Sequence, residues 1–463
     1  MKRGRDTESA SRRRSEAVVK GAIAVWSAVA ISGEAMAGGL AIREQSASAQ
    51  GASFAGAAAG GDLSASFWNP AAMSSAGYGL TSESHYALIH ADFDVQAESV
   101  SVLPGSALPA STTLVDNRIQ IDPLALVGSS YAAWRANDRL VLGLSITSPF
   151  GSKNKADNAT WAGQYHYRSS ELFTINVNPI ASYQLTPHLS FGAGPQIQYL
   201  SLTIKANPSG GLAPPQSTSA LDGDDIGVGF TAGMMWQPVS GTDIGVGFRS
   251  AVSHEVDGEA RLASGYLTTG TMLGTVPFKS VDFKAKLQTP EIATLSLRQA
   301  MGQDTRLLGS VEWSNWSRLD QVDFIAQSTG GIAAQPVTPG HTLNVLDFHW
   351  NDGWFFALGG EWDYTKELTL RAGAAYEISP IRDADQRKIN VADSDRVWLS
   401  LGATYAFSAT TAFDFAYTHI FFDDAPIDSL TTTPAGPTAP VRRFVGYADQ
   451  SADIIAMSLK TKW

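Results

Sequence analysis

The sequence predicts an all-β fold: a fourteen-stranded antiparallel transmembrane β-barrel. Three observations carry the prediction. Apolar residues alternate with period two over most of the chain past Tyr78. Short and long connections between these stretches follow each other strictly. A basic-then-apolar leader precedes them.

The alternation defines strands with two unlike faces. In LTLRAGAAYE, Leu368, Leu370, Ala372, Ala374 and Tyr376 share one face; Thr369, Arg371, Gly373, Ala375 and Glu377 share the other. VWLSLGATYAF groups Val397, Leu399, Leu401, Ala403, Tyr405 and Phe407 likewise. An apolar face backed by a polar or small one marks a sheet between two media. Trp362, Tyr364, Tyr376, Tyr405 and Phe407 lie near strand ends, where the aromatic girdles of a membrane barrel belong.

The connections fix the strand number. Short turns are RAND (135–138), TP (186–187), VSG (239–241), GQDT (302–305), TK (365–366) and SAT (408–410). Long polar or Pro/Gly-rich segments fall at 104–118, 149–170, 205–223, 254–280, 325–350, 379–395 and 422–450. Six short and seven long connections join fourteen strands. An even count with short turns on one side and long loops on the other is the layout of an outer-membrane barrel. The last strand puts Ile455, Met457, Leu459, Thr461 and Trp463 on one face. Its terminal aromatic resembles the assembly signal of outer-membrane proteins. A soluble β-sandwich would also alternate, but it explains neither the two loop classes nor the leader.

The leader reads as an export signal over residues 1–37. Arg12, Arg13, Arg14 and Lys20 precede the apolar run Ala22–Ile31, and Ala35-Met36-Ala37 offers a small-residue cleavage site. The competing reading is a short buried helix.

Between leader and barrel, 38–77, the composition changes. From Gly38 to Ser66, 20 of 29 residues are Gly, Ala or Ser, with no period-two face. A disordered leader has such a composition. Phe54, Phe67 and Trp68, however, demand burial, and a fourteen-stranded barrel is too wide for its own side chains to fill. A compact segment inside the lumen of the barrel (78–463) answers both. It would end at FWNPAAM, where Asn69 offers a side-chain cap and Pro70 stops strand pairing.

Several chemistries find no support. The chain has no cysteine and a formal net charge of -11, which argues against thiolate metal sites and nucleic-acid partners. Its eight histidines are scattered. No G-x-S-x-G elbow occurs, and DGDDIG (222–227) lacks the closing acidic ligand of a calcium loop. No catalytic residue, metal site or cofactor is expected.

Taken in order, a series of stretches resembles the FadL family of long-chain fatty-acid transporters, which includes TodX-like importers of aromatic hydrocarbons. They are GGLAIREQSASAQGASFAG with NPAAM; HLSFGAGPQIQY; DGDDIGVGFTAGMMWQP with TDIGVGFRSAVSHEVDG; LQTPEIATLSL with VEWSNWS; WNDGWFFALG; LTLRAGAAYEISP; and DSDRVWLSLG. The resemblance implies a hatch in the lumen and passive uptake of hydrophobic molecules: fatty acids, or aromatic and aliphatic hydrocarbons. It implies a loop-side apolar groove, a luminal site beside the N-terminus and a lateral exit where the third strand kinks. A greasy solute gains from an exit that keeps it in apolar surroundings.

Residue by residue, the hatch motif falls on Asn69, Pro70 and Ala71, expected to face the weak point of the third strand. The apolar N-terminal contact falls on Leu40, with Ile42 beyond it. The kink, and with it the lateral gate, falls on Ser148, Pro149, Phe150 and Gly151, bordered by Ala125. The start of a loop is the alternative for that quartet. Two positions where fatty-acid members carry basic groups hold Ala206 and Asn351 here. Lys205 faces the ligand only if the strand slips by one residue. The absence of a placed cationic pair tilts the expectation towards neutral ligands. Val391-Ala392 replaces the usual Ile-Pro before DSDR, in a loop.

The expectation is an outer-membrane channel of a Gram-negative bacterium, monomeric in outer-membrane lipid and lipopolysaccharide and inserted by the barrel-assembly machinery. It is expected not to be an enzyme and to require no periplasmic partner. An outer-membrane hydrolase or a loop-mediated adhesin is the alternative.

Overall fold

The computed structural model describes residues 39–102, 117–121, 124–158, 161–206, 218–262, 266–268, 275–333, 335–430 and 442–463. The predicted export signal lies outside these residues.

Fourteen antiparallel strands close into one barrel. They are β1 (Leu80–Val102), β2 (Arg118–Ile121 and Leu124–Arg135), β3 (Leu140–Thr147 and Gly151–Lys155), β4 (Ser169–Thr186), β5 (Leu189–Ala206), β6 (Ser219–Trp236) and β7 (Thr242–Arg249 and Ser253–Leu262). The circuit continues with β8 (Val281–Gln288 and Ile292–Ala300), β9 (Thr305–Ser314 and Gln321–Ala326), β10 (Thr342–Asp347 and Gly353–Asp363), β11 (Leu368–Ile378), β12 (Arg396–Ala406), β13 (Thr411–Phe422 and Ala425–Leu430) and β14 (Arg442–Lys462). β1 closes on β14 from Thr81↔Lys462 to Val102↔Arg442. The terminal Trp463 finishes the seam: its backbone N–H donates to the Leu80 carbonyl (2.8 Å) and its indole to the Ser82 hydroxyl (3.1 Å). Pairing of the first strand with the last closes the sheet on itself, as a membrane barrel requires.

The wall is inverted relative to a soluble protein. Large apolar side chains point out, with Ile226 and Val228 65% and 66% exposed, while Asn176, Asn178, Thr174 and Ser182 are fully buried inside. The girdle residues face out, and Trp362–Tyr364 and Tyr405–Phe407 pair edge-on at 5.1 and 5.0 Å beside short turns.

Strands run further than the alternation indicated. Ser253–Leu262 and the start of β14 continue the ladder through stretches whose charges suggested loops. Glu255, Asp257 and Glu259 point out, whereas His254, Val256 and Ala260 are buried within. Strands that rise above the bilayer meet water outside, so their outward face is charged rather than apolar.

Residues 39–76 occupy the lumen as short helical turns: Ala47–Gln50, Leu63–Phe67 and Pro70–Ser75. Their small side chains allow close packing on the inner wall. The wall answers with glycine at several places: a Cβ at Gly233 would come within 2.0 Å of Asn69 Oδ1, and one at Gly247 within 1.8 Å of the Trp68 carbonyl. The aromatics of the segment form one cluster. Phe54 lies 5.9 Å from both Trp68 and Trp398, and Phe67 stands edge-on to Trp68 at 4.9 Å. Ionic pins hold the segment at intervals. Glu83 on β1 accepts the Leu63 and Ser64 N–H groups (2.9 and 3.1 Å), and Lys460 on β14 bridges Asp62 and Asp414 (2.8 and 2.9 Å).

Candidate functional site at a break in the barrel wall

The wall is interrupted between β2 and β3. Their ladder runs from Arg135↔Val141 to Ser130↔Ile146 and stops. Beyond it, among the described residues, Leu124–Ser129 pair with β1 alone. On the other side, β3 leaves β4 after Thr147↔Asn176 and rejoins it at Gly151↔Phe173. Ser148, Pro149 and Phe150 span that interval. Pro149 cannot donate to a ladder, and Phe150 is held instead by Thr174, whose hydroxyl takes its N–H (3.0 Å). Ala125, fully buried, and Val127 lie on the unpaired edge of β2.

The N-terminal segment lines the break from within. The Ile42 N–H donates to the Pro149 carbonyl (2.8 Å), and the Gly151 N–H to the Leu40 carbonyl (2.9 Å). Ala41 and Phe150 form an antiparallel bridge between these bonds. A Cβ at Gly151 would come within 2.9 Å of Ile42 Cδ1, so a larger residue here would have to displace the Ile42 side chain. Gln45 joins both edges. Its side-chain amide donates to the Ser148 carbonyl (2.8 Å) and accepts the Ser148 N–H (3.3 Å). Its backbone carbonyl accepts the hydroxyls of Ser129 (2.8 Å) and Tyr131 (2.9 Å) on β2.

An apolar chamber of about 60 Å³ adjoins the break, lined by Leu40, Phe150, Leu172, Leu200, Leu202, Trp316 and Phe348 among others. Phe150 stands edge-on to Trp316 at 5.8 Å. On the far side of the Ala41–Phe150 bridge lies a second cavity of about 20 Å³, lined by Ile42, Arg43, Phe67, Trp68, Pro149, Arg249 and Glu312.

The segment is also fixed by charge. Arg43 pairs with Glu312 (2.7 Å) and Glu377 (3.2 Å), and the Gly39 N–H donates to Asp393 (2.9 Å). Burial pushes the Glu44 carboxyl up to about 7, against backbone hydrogen bonds and the Arg43 charge that pull it down. Burial would raise Asp62 as well, but the Lys460 ammonium outweighs it and holds that carboxyl below its usual range.

The structure thus brings together Leu40, Ile42, Ala125 and the Ser148–Gly151 quartet. It does not bring the Asn-Pro-Ala motif to the kink. Asn69 donates to the carbonyls of Ala58 and Met234 (both 2.9 Å), and the Ala71 carbonyl accepts the Ser182 hydroxyl (3.2 Å), so the motif sits against β4–β6. Lys205 is also elsewhere. Leu200, Leu202 and Ile204 face inward, and an unbroken register from Leu189↔Trp236 to Ala206↔Ser219 fixes Lys205 on the outer face. The slip that would turn it inward does not occur. Asn351 caps a loop instead, with its amide 3.3 Å from Gln386.

Three residues escaped the sequence reading: Gln45, Arg43 and Arg249. A signal for each was present. Arg43 and Gln45 are polar residues in a segment of small ones, and Arg249 shares the inward face of β7 with Gly245 and Gly247.

A closed barrel with an apolar outer belt, a lumen filled by its own N-terminal segment and one interrupted seam defines an outer-membrane transport barrel. The chain belongs to the family described as outer membrane protein transport protein (OMPP1/FadL/TodX), whose model matches residues 28–463. It is located in the outer membrane of a Gram-negative bacterium. It is 28% identical over 357 residues to a long-chain fatty acid transport protein of Escherichia coli, covering 70% of this chain and 74% of that one. It is 26% identical to outer membrane protein P1 of Haemophilus influenzae, covering 84% and 87%. Among solved structures it is similar to a Pseudomonas aeruginosa FadL homologue (TM-score 0.76, 21% identity, 92% and 99% coverage). It also matches the Pseudomonas putida toluene transporter TodX (TM-score 0.62, 18% identity, 90% and 97% coverage). At these identities the structural matches establish the fold.

Proposed function

We propose that this barrel admits hydrophobic small molecules by diffusion. A molecule enters the apolar chamber beside Leu40 and leaves sideways between β2 and β3 into the membrane. Relatives named for long-chain fatty acids and for toluene support a ligand of this class. The observation that carries the reading is the seam itself. The ladder between β2 and β3 ends at Ser130↔Ile146, and residues 40–45 rather than a strand occupy the place beyond. The hatch spans 38–77 and the barrel 78–463, acting as a monomer surrounded by outer-membrane lipid. Transport without chemistry fits a family of transport proteins better than the hydrolase or adhesin alternatives.

The absence of native cysteine makes the test clean. Val127→Cys with Ser148→Cys places a thiol on each edge of the break. Oxidation is expected to lower oleate and toluene uptake in cells, with recovery on reduction. Uptake that is the same in the oxidised and reduced forms, with the crosslink verified, would remove the lateral route.

A further inference from the structure

Above the apolar belt, most outward cations are tied to a carboxylate: Arg118 to Asp94, Arg443 to Asp428, Arg261 to Asp222 (2.6 Å) and Lys284 to Glu255 (2.7 Å). Over β3–β5 the pattern changes. Lys155 and Lys205 have no ion-pair partner among the described residues. They share one face. Lys155 lies opposite Ser169 on β4, and Ser169 lies opposite Lys205 on β5. Both therefore point out, with one strand between them and about 10 Å between their backbones. The acids around them do not neutralise them. Glu171 pairs with Lys153 (3.4 Å), Asp222 is held by Arg261 and the Thr203 hydroxyl (2.9 Å), and Asp157 pairs with neither lysine.

Two unpaired cations on one face of a chain whose formal net charge is -11 make a local field that draws anions. The surroundings say what kind. Lower on the same outward face the residues turn aromatic, where Phe173 stands edge-on to Tyr199 at 5.8 Å. Aromatic rings of this kind belong at the membrane–water interface. An amphipathic molecule in the outer leaflet meets both surfaces at once: apolar chains beside the rings, an anionic headgroup beside the lysines.

We propose that Lys155 and Lys205 dock the phosphorylated saccharide headgroup of an outer-leaflet glycolipid, whose acyl chains lie over Phe173 and Tyr199. The position gives the contact a consequence. The upper half of β3, Gly151–Lys155, continues directly from the gate quartet and, among the described residues, pairs with β4 alone. A headgroup that joins Lys155 to Lys205 across β4 braces that half-strand from outside, beside the break.

The test measures binding of purified lipopolysaccharide to the full-length protein in detergent. Wild type is expected to bind it, less tightly as salt rises. Lys155→Gln combined with Lys205→Gln is expected to bind about tenfold more weakly. Lipopolysaccharide stripped of its phosphates should bind wild type as weakly as the native lipid binds that variant. Lys284→Gln combined with Lys286→Gln removes the same charge from lysines already paired with Glu255 and is expected to stay within about twofold of wild type. Millimolar inorganic phosphate should not displace the lipid. Wild-type affinity in the Lys155/Lys205 variant overturns the assignment, as does undiminished binding of the dephosphorylated lipid. An equal loss in the Lys284/Lys286 variant would reduce the effect to overall charge, and displacement by inorganic phosphate would make this a free-anion site; either overturns it too. Should the Lys155/Lys205 variant fail to fold, the single Lys205→Gln and Lys155→Gln proteins, each expected to bind about threefold more weakly, decide in its place.

Discussion

Gln45 and Ser148 exchange two hydrogen bonds, one in each direction, across the break in the wall. Because the Gln45 carbonyl also holds Ser129 and Tyr131, one residue of the N-terminal segment ties together strands that do not pair here. The arrangement is a latch made of polar contacts in an otherwise apolar seam. Gln45→Ala is expected to weaken closure by about 2 kcal/mol, roughly 1 for each buried bond lost. Hydrogen exchange at residues 40–45 should rise by a factor of about 30, with the barrel still heat-modifiable. Unchanged protection there would show that the Leu40–Ile42 backbone bonds alone close the seam.

The Asn69 motif stabilises the hatch at β4–β6 rather than at the kink. Gly233→Ala would press a methyl onto Asn69 Oδ1. Asn69→Ala would leave the Ala58 and Met234 carbonyls without their donor. Both variants are expected to fold as barrels, destabilise the hatch by about 1–3 kcal/mol and raise ion conductance in planar bilayers. Wild-type conductance in both would place the plug's stability elsewhere.

Glu44 gives the seated segment a pH dependence. Its carboxyl is raised from 4.5 to about 7 in the folded state. Between those values the seated form keeps a proton that the unseated form releases. The stabilisation is therefore fully present below 4.5 and lost as pH rises to 7, by about 3 kcal/mol in all. Proteolysis within 40–45 should be faster at pH 8 than at pH 5, and Glu44→Gln should flatten the profile. A Glu44→Gln protein with the full pH dependence would assign it to another group.

Lys460 neutralises two carboxylates at once, Asp62 of the hatch and Asp414 of β13. Lys460→Met leaves both buried without a partner cation and is expected to cost about 3–5 kcal/mol, read as a lower melting temperature in detergent. Adding Asp62→Asn should recover part of the loss. No recovery would mean that Asp414 is the partner that matters.

Much of this architecture was legible in the sequence. TP, VSG and TK interrupt the period-two alternation with short stretches, so the strand number followed. Pro149 announced a disturbed ladder because it has no N–H to donate. The strand extensions above the membrane were not legible, because Glu255, Asp257 and Glu259 look the same on a water-facing strand as in a loop. The face occupied by Lys205 was equally hidden: a one-residue slip inverts it, and the pairing with β6 alone decides.

What the sequence determined by itself is local: the period of the strands, the turns that join them, the small residues that let a segment pack inside, and the break at Asn69-Pro70. Each follows from the dihedral and steric preferences of a few adjacent residues. The tertiary structure decided which distant residues meet. Gln45 reaches Ser129, Tyr131 and Ser148, and Arg43 and Arg249 share a cavity with Pro149. Those contacts depend on the path of the hatch through the lumen, and that path is set by packing against strands from all around the barrel.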